Sequence, residues 1–316
     1  MAERGGALDP LKERLLVLGG SGFIGRHVAT TGAAAGLEVA SLALDEPTER
    51  LPGVEYWTGD FTQEAILHAA LEGQRFEYVI NCAGYIEHTL YGQGGGSLIT
   101  QHFDAVRHLA AVLDRDCLKG FVQLGSSDEY GCLPAPQNEG MREAPISPYS
   151  FGKVAATQFL QMLHHTEQFP AVVARLFLTY GPGQDDKRFL PQIIKGCLSG
   201  RPFPTSEGRQ LRDFCRVRDV AAGLLKASRT PAARGEVINL ASGQPVAIRE
   251  MVETVCRLIG GGVPEFGQVP YRPGENMALH ADITKASQLL EWRPEISLEE
   301  GLRELIDWGR RQGWAQ

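Results

Sequence analysis

Hydrophobic residues in this chain fall into short runs separated by longer stretches of helical spacing. After a polar segment over about residues 1–12, the run at 14–18 predicts a first strand, 23–35 a helix and 37–42 a second strand. Runs at 54–57, 78–83, 121–124 and 172–177 continue the strands, with helices near 62–72, 97–115 and 149–168 between them. Strands that alternate with helices need crossover connections, so the pattern predicts an α/β fold with a parallel sheet covered by helices on both faces. Beyond residue 178, Gly and Pro thicken at 181–183, 200–204, 260–264 and 270–274, and helices are predicted near 247–259 and 298–311. The expected organisation is a doubly wound sheet domain over 1–177, joined by segments near 214–242. Most of 178–316 is expected to form a smaller, loop-rich C-terminal lobe.

Composition narrows the function. With 316 residues, 43% hydrophobic and 22% charged, the chain can bury a sizeable core. A formal net charge of −7 argues against nucleic acid as a partner, because no excess of cations exists to displace phosphate counterions. The cysteines at 82, 117, 132, 197, 215 and 256 form no CxxC pair and have no His at ligand spacing. The expectation is buried reduced thiols, with neither a disulfide framework nor a metal site. The first residues, MAERGGALDPLKER, lack the apolar stretch of a secretory signal. No run approaches the roughly 20 apolar residues of a membrane span. A cytoplasmic location with no membrane partner is therefore expected.

The first strand runs straight into Gly19-Gly20-Ser21-Gly22-Phe23-Ile24-Gly25. A strand that ends in a glycine-rich turn and opens a helix is the pattern of a dinucleotide site. Gly19 permits the tight turn, Gly22 lets backbone approach a pyrophosphate, and Gly25 allows close helix–strand packing. The amides of the helix start, at Phe23 and Ile24, face the anion. Acidic residues after the second strand hold adenosine ribose hydroxyls in such sites. The usual position falls on Ala43, and Asp45 lies two residues further on. Arg26 and Arg50 are near in sequence, so NAD and NADP both remain open as the cofactor.

A second constellation is Tyr149-Ser150-Phe151-Gly152-Lys153. Four residues apart on a helix, the phenol and the ammonium share a face, and the cation is expected to lower the phenol's pKa toward working pH. That produces an acid/base for a hydroxyl or ketone. Upstream, Leu124-Gly125-Ser126-Ser127-Asp128-Glu129-Tyr130-Gly131 closes a strand, at the sheet end where ligands bind.

The glycine loop, a Ser and Tyr-x-x-x-Lys, in that order, resemble the short-chain dehydrogenase/reductase family. The GxxGxxG spacing and the sequence GGSGFIG are similar to its extended branch of nucleotide-sugar epimerases, dehydratases and reductases. The resemblance spans about residues 13–312 and implies a Rossmann-type fold. It implies Ser126, Tyr149 and Lys153 as the catalytic set, with Ser127 the alternative to Ser126. It also implies Asp60 and Phe61 beside the adenine, Ala83 and Gly84 along the cofactor, and Tyr149 and Lys153 contacting it as well. Arg212, in Arg212-Asp213-Phe214, and Arg272, in Arg272-Pro273-Gly274-Glu275, are implied contacts for a nucleotide-diphosphate sugar, along with Ser127 and Asp128. Leu178 and Asp104 depart from the family, which usually has Asn at each place. A homodimer formed through the helices near 97–115 and 149–168 is implied too. The segment 124–127 and the absence of Asn at 178 look most like the 4-ketoreductases of deoxysugar pathways. A 4-epimerase is the alternative, followed by a 4,6-dehydratase or a non-catalytic nicotinamide sensor.

Overall fold

The computed structural model describes residues 12–271 and 274–314. In chain order the first half comprises β1 (Arg14–Leu18), α1 (Phe23–Ala34), β2 (Glu38–Ala43), β3 (Val54–Thr58), α2 (Glu64–Leu71), β4 (Tyr78–Asn81), α3 (Gly96–Val112), β5 (Gly120–Ser126), α4 (Pro148–Glu167) and β6 (Ala171–Leu176). The second half continues with β7 (Leu178–Tyr180), α5 (Phe189–Ser199), β8 (Pro202–Pro204), β9 (Leu211–Arg216), α6 (Val217–Arg229) and β10 (Val237–Leu240). It ends with β11 (Pro245–Ala247), α7 (Ile248–Ile259), β12 (Val263–Glu265), β13 (Ala278–Leu279), α8 (Thr284–Leu290) and α9 (Leu298–Arg311).

The main sheet has seven strands in the order β10-β6-β5-β4-β1-β2-β3, every pair parallel. This is the doubly wound Rossmann arrangement, with its switch point between β1 and β4. Successive residues of β1 serve opposite faces, as the strand period requires. Leu15 and Val17 join one core with Val28 of α1 and Leu224 of α6. Leu16 and Leu18 join the other with Leu67 of α2, Val106 of α3 and Leu160 of α4. All residues of β4, β5, β6 and β10 are buried, because helices cover both sides. A third core, from Ile194 of α5, Met251 and Val255 of α7 and Leu305 of α9, lies under the small sheet built on β9.

Several elements differ from the hydrophobic pattern. Strand β4 stops at Asn81 rather than 83, because the Asn81 side chain accepts the Ala83 amide at 3.1 Å and turns the chain away from the ladder. Strand β10 carries only Val-Ile-Asn-Leu, too short and too polar to announce itself. Pairing with β6 makes it a strand, and Asn239 is buried with its amide donating to the Gln137 and Asp282 carbonyls. Helices α5 and α6 were also not foreseen as elements. Cys132 is exposed, which corrects the expectation of uniformly buried thiols.

Candidate active site

The switch point is built from backbone. Gly19 has φ +70°, a conformation that favours glycine. A Cβ there would lie 3.0 Å from the Ala83 Cα, so the turns after β1 and β4 touch. At Gly25 a Cβ would collide with the Gly19 carbonyl oxygen and come within 2.8 Å of the Gly20 Cα. The first turn of α1 therefore lies directly on the loop. Gly22 is exposed, no side chain caps the helix, and no acid occupies its first turn. The amides at the start of α1, from Phe23 and Ile24, are thus left for an anion, with the positive end of the helix dipole behind them. A dinucleotide pyrophosphate fits this cradle. Side chains at 19, 22 or 25 would fill it.

The other implied cofactor residues scatter around that cradle. Asp45 is exposed, two residues past the end of β2. Asp60 uses both oxygens in its own turn. One accepts the Thr62 amide at 3.0 Å and hydroxyl at 2.6 Å, and the other accepts Gln63 Nε2 at 2.9 Å. These bonds hold its carboxyl below the usual range. Phe61 is buried in the α2 core, while Gly84 has φ +116° and packs on the ring of His102.

The β5–α4 corner gathers the three implied catalytic side chains. Helix α4 starts where it does because Ser147 and Ser150 cap each other reciprocally and Pro148 occupies the first turn. Tyr149 and Lys153 then lie on the buried side, 4% and 5% exposed. Lys153 Nζ donates to the Leu124 carbonyl at 2.9 Å and lies 5.9 Å from the centroid of the Tyr149 ring. Ser126 ends β5. Its Oγ accepts the Asp128 amide at 3.1 Å, which leaves its hydroxyl proton available toward the neighbouring Tyr149 phenol.

The electrostatics correct the expected lowered phenol. Burial pushes Tyr149 well above its ordinary range. The nearby Ser126 hydroxyl pulls it down, and Asp128 and Glu129 push it further up. Burial also lowers Lys153 to about 8, against the raising influence of Glu129 and Cys82. The corner thus holds a neutral phenol beside an amine that gives up its proton more readily than an ordinary lysine.

Sequence reasoning missed the support beneath it. Glu129 is wholly buried, and its Oε1 accepts the Ser126 amide at 2.8 Å. Its Oε2 takes the Thr157 hydroxyl at 2.9 Å and Arg175 at 2.9–3.0 Å. Arg175, also wholly buried, reaches Glu143 at 2.6 Å and stacks 4.6 Å above the Tyr130 ring. One carboxylate therefore ties the end of β5 to α4 and to β6. The available signal was two charges, Glu129 and Arg175, inside or beside apolar strands.

Of the implied substrate residues, Ser127 is buried and Asp128 partly so. Burial raises the Asp128 carboxyl, while His88, 3.7 Å away, and Arg212 lower it. Arg212 is paired with Glu275. Asp213, beside it, is structural: it accepts the Ser242, Gly243 and Ala281 amides at 2.7, 2.9 and 3.2 Å. Arg272 lies outside the described residues. No helix among the described residues is long and apolar enough to cross a membrane.

Known proteins resemble this chain over most of its length. A dTDP-glucose 4,6-dehydratase from Xanthomonas campestris pv. campestris is 27% identical, with 95% of this chain and 94% of the relative covered. A UDP-glucuronate 4-epimerase from Thermodesulfobacterium geofontis is 32% identical over 61% of this chain and 60% of its own. A solved variant of UDP-glucuronic acid 4-epimerase from Bacillus cereus, in complex with UDP-4-deoxy-4-fluoro-glucuronic acid and NAD, superposes with a TM-score of 0.85. It is 25% identical, and 95% of this chain and 99% of that one are covered. The description "NAD dependent epimerase/dehydratase family" matches residues 15–241, and the chain belongs to that family of enzymes.

Proposed function

We propose that this protein is an NAD-dependent 4-epimerase of a nucleotide-diphosphate hexose. The observation that carries the reading is the gathering of buried Ser126, Tyr149 and Lys153 at one corner, with Lys153 Nζ 5.9 Å from the centroid of the Tyr149 ring, beside a glycine cradle suited to a dinucleotide. In this reading Tyr149 takes the proton from the sugar 4-hydroxyl and later returns it, and Ser126 donates a hydrogen bond to the same oxygen. Lys153 supplies the positive charge that favours the phenolate. Bound NAD supplies the hydride acceptor and, once reduced, the donor. Phe23, Ile24 and Gly22 would hold its pyrophosphate, and Asp45 would face its ribose. Arg212, Arg272, Ser127 and Asp128 would receive the nucleotide sugar.

The relatives described above are epimerases and a dehydratase, so epimerisation replaces ketoreduction as the preferred reading. Dehydration is disfavoured by the residues after Ser126. Loss of water across C5 and C6 needs both a base and an acid besides Tyr149. Here Ser127 is neutral and Glu129 is committed to Arg175, so of the residues after Ser126 Asp128 is the one carboxylate left for that work.

The test is to incubate the pure protein with NAD and, separately, UDP-glucose, UDP-glucuronic acid and dTDP-glucose, and to identify products by chromatography and NMR. A 4-epimer formed with no net change in NADH supports the proposal. A 4-keto-6-deoxy product would make the protein a dehydratase. Stoichiometric NADH consumption on a 4-ketosugar, with no epimer formed from any of the three, would restore the ketoreductase.

A further inference from the structure

Helix α3 buries Leu98, His102, Ala105, Val106 and Leu109, a stripe of helical spacing in which one position is an imidazole. His102 is 3% exposed and has no part in the reaction drawn above. Its ring meets the ring of Tyr149 edge-to-face, with centroids 4.9 Å apart and planes at 87°. Its Nε2 lies 3.2 Å from the Tyr85 carbonyl oxygen. A carbonyl can only accept, so Nε2 carries the proton and donates.

The imidazole is held on two further sides. A Cβ on Gly84 would come within 2.9 Å of its Nδ1, and a Cβ on Gly152 within 3.1 Å of its Cβ. Glycine on the loop after β4 and glycine on α4 therefore leave the space that the ring occupies. On the far edge of Tyr149 stands His88, with ring centroids 5.9 Å apart at 82°. His88 is exposed, whereas His102 is buried with the phenol.

We propose that His102 is a positioning residue: its ring, edge-to-face with the Tyr149 ring, holds the phenol in its orientation beside Ser126. The charged and titratable groups around it are Lys153 and Tyr149 on α4, with His88 beyond the phenol and Cys82 beyond Lys153. Burial and then the Lys153 cation lower the His102 pKa to about 3, with the Tyr85 hydrogen bond opposing. The ring stays neutral across working pH and adds no charge to the corner. Its contribution is the shape of one wall. A phenol that can rotate spends less time with its oxygen on Ser126, which lowers turnover without changing how substrate binds.

This inference rests on Tyr149 being the acid/base of the proposed reaction, so one series tests both. Wild type, Tyr149→Phe, His102→Gln and His102→Phe are compared on whichever of the three nucleotide sugars is turned over. Gln keeps a donor for Tyr85 but not the ring, while Phe keeps the ring edge but not the donor. His102→Gln is expected to lose about five- to tenfold in kcat with KM and NAD affinity nearly unchanged, and His102→Phe to recover to within about threefold of wild type, as the worth of an edge-to-face contact implies. A second readout needs no substrate. With ring-labelled tyrosine and the Tyr149 signal assigned by its loss in Tyr149→Phe, that signal is single in wild type and His102→Phe, and split or broadened in His102→Gln.

Equal losses in the Gln and Phe proteins, or an unchanged kcat and a single Tyr149 signal in His102→Gln, overturn the inference. If His102→Gln cannot be obtained folded, His102→Phe alone decides: a loss beyond about tenfold, more than an edge-to-face contact is worth, refutes it. Full activity in Tyr149→Phe sinks the proposed reaction itself. An inactive Tyr149→Phe with an unaffected His102→Gln sinks only the role of His102.

Discussion

At the β1–α1 turn the contacts that shape the candidate site are backbone against backbone. Gly19 touches the chain at Ala83, and Gly25 rests on Gly19 and Gly20. At the β5–α4 corner the contacts are side chains, nearly all buried: Ser126 on Tyr149, Lys153 on the Leu124 carbonyl, and Glu129 on Ser126, Thr157 and Arg175. The first wall leaves amides open, as the proposed pyrophosphate contact requires, and its specification is the absence of Cβ atoms. The second must hold three charges and a phenol in a place that penalises all four, and it does so by giving each charge a partner. A backbone site tolerates change everywhere except at its glycines. A side-chain site depends on residues far along the chain, from 102 to 175.

That contrast can be broken experimentally. Tyr149→Phe should cut kcat by about 10²- to 10⁴-fold, the usual worth of a general acid/base, and leave NAD affinity within about threefold. Steady-state kinetics and a fluorescence titration of NAD check it. A parallel fall in affinity would show that the two walls do not act separately.

Glu129→Gln removes one partner of a buried ion pair, a change that ordinarily costs about 3–5 kcal/mol. Glu143 still faces Arg175, so the loss should fall near the lower bound. Urea unfolding measures it, and NAD affinity of the folded variant should not change.

Gly25→Ala is the complementary wedge. Overpacking should cost about 1–3 kcal/mol and also weaken NAD binding, with catalysis at saturating NAD nearly intact. Calorimetry with and without NAD separates the two. A Gly25→Ala protein that binds NAD normally would show that the cradle is looser than its contacts suggest.

The gentlest probe is pH. Lys153 carries its charge only below its lowered pKa of about 8. As pH rises through that value the ammonium loses its proton and no longer favours phenolate. The kcat profile should therefore bend downward above about pH 8, approaching tenfold per unit, the slope of one titrating group. NAD affinity should change less, because the proposed pyrophosphate contacts are backbone amides that do not titrate. A profile rising smoothly to pH 10 would contradict the assignment of Lys153.

The alternation of apolar runs with helical spacing determined the parallel α/β sheet, because a strand buried on both faces and an amphipathic helix leave different periods in the chain. The glycines at 19, 22 and 25 marked the cradle for a similar local reason: a backbone that must come close to something can be specified by one residue type. Tyr149 and Lys153 were legible as a pair because helical spacing puts them on one face. What only the tertiary structure decided is how those groups are charged and held. Burial, rather than the neighbouring cation, dominates the Tyr149 phenol. Glu129 acts through Arg175, and His102 reaches Tyr149 from another helix. Strand β10 exists because β6 offers it a ladder, and Arg212 spends its charge on Glu275. Each of these depends on the distance between residues remote in sequence and on how much water is excluded between them. Local spacing encodes neither quantity.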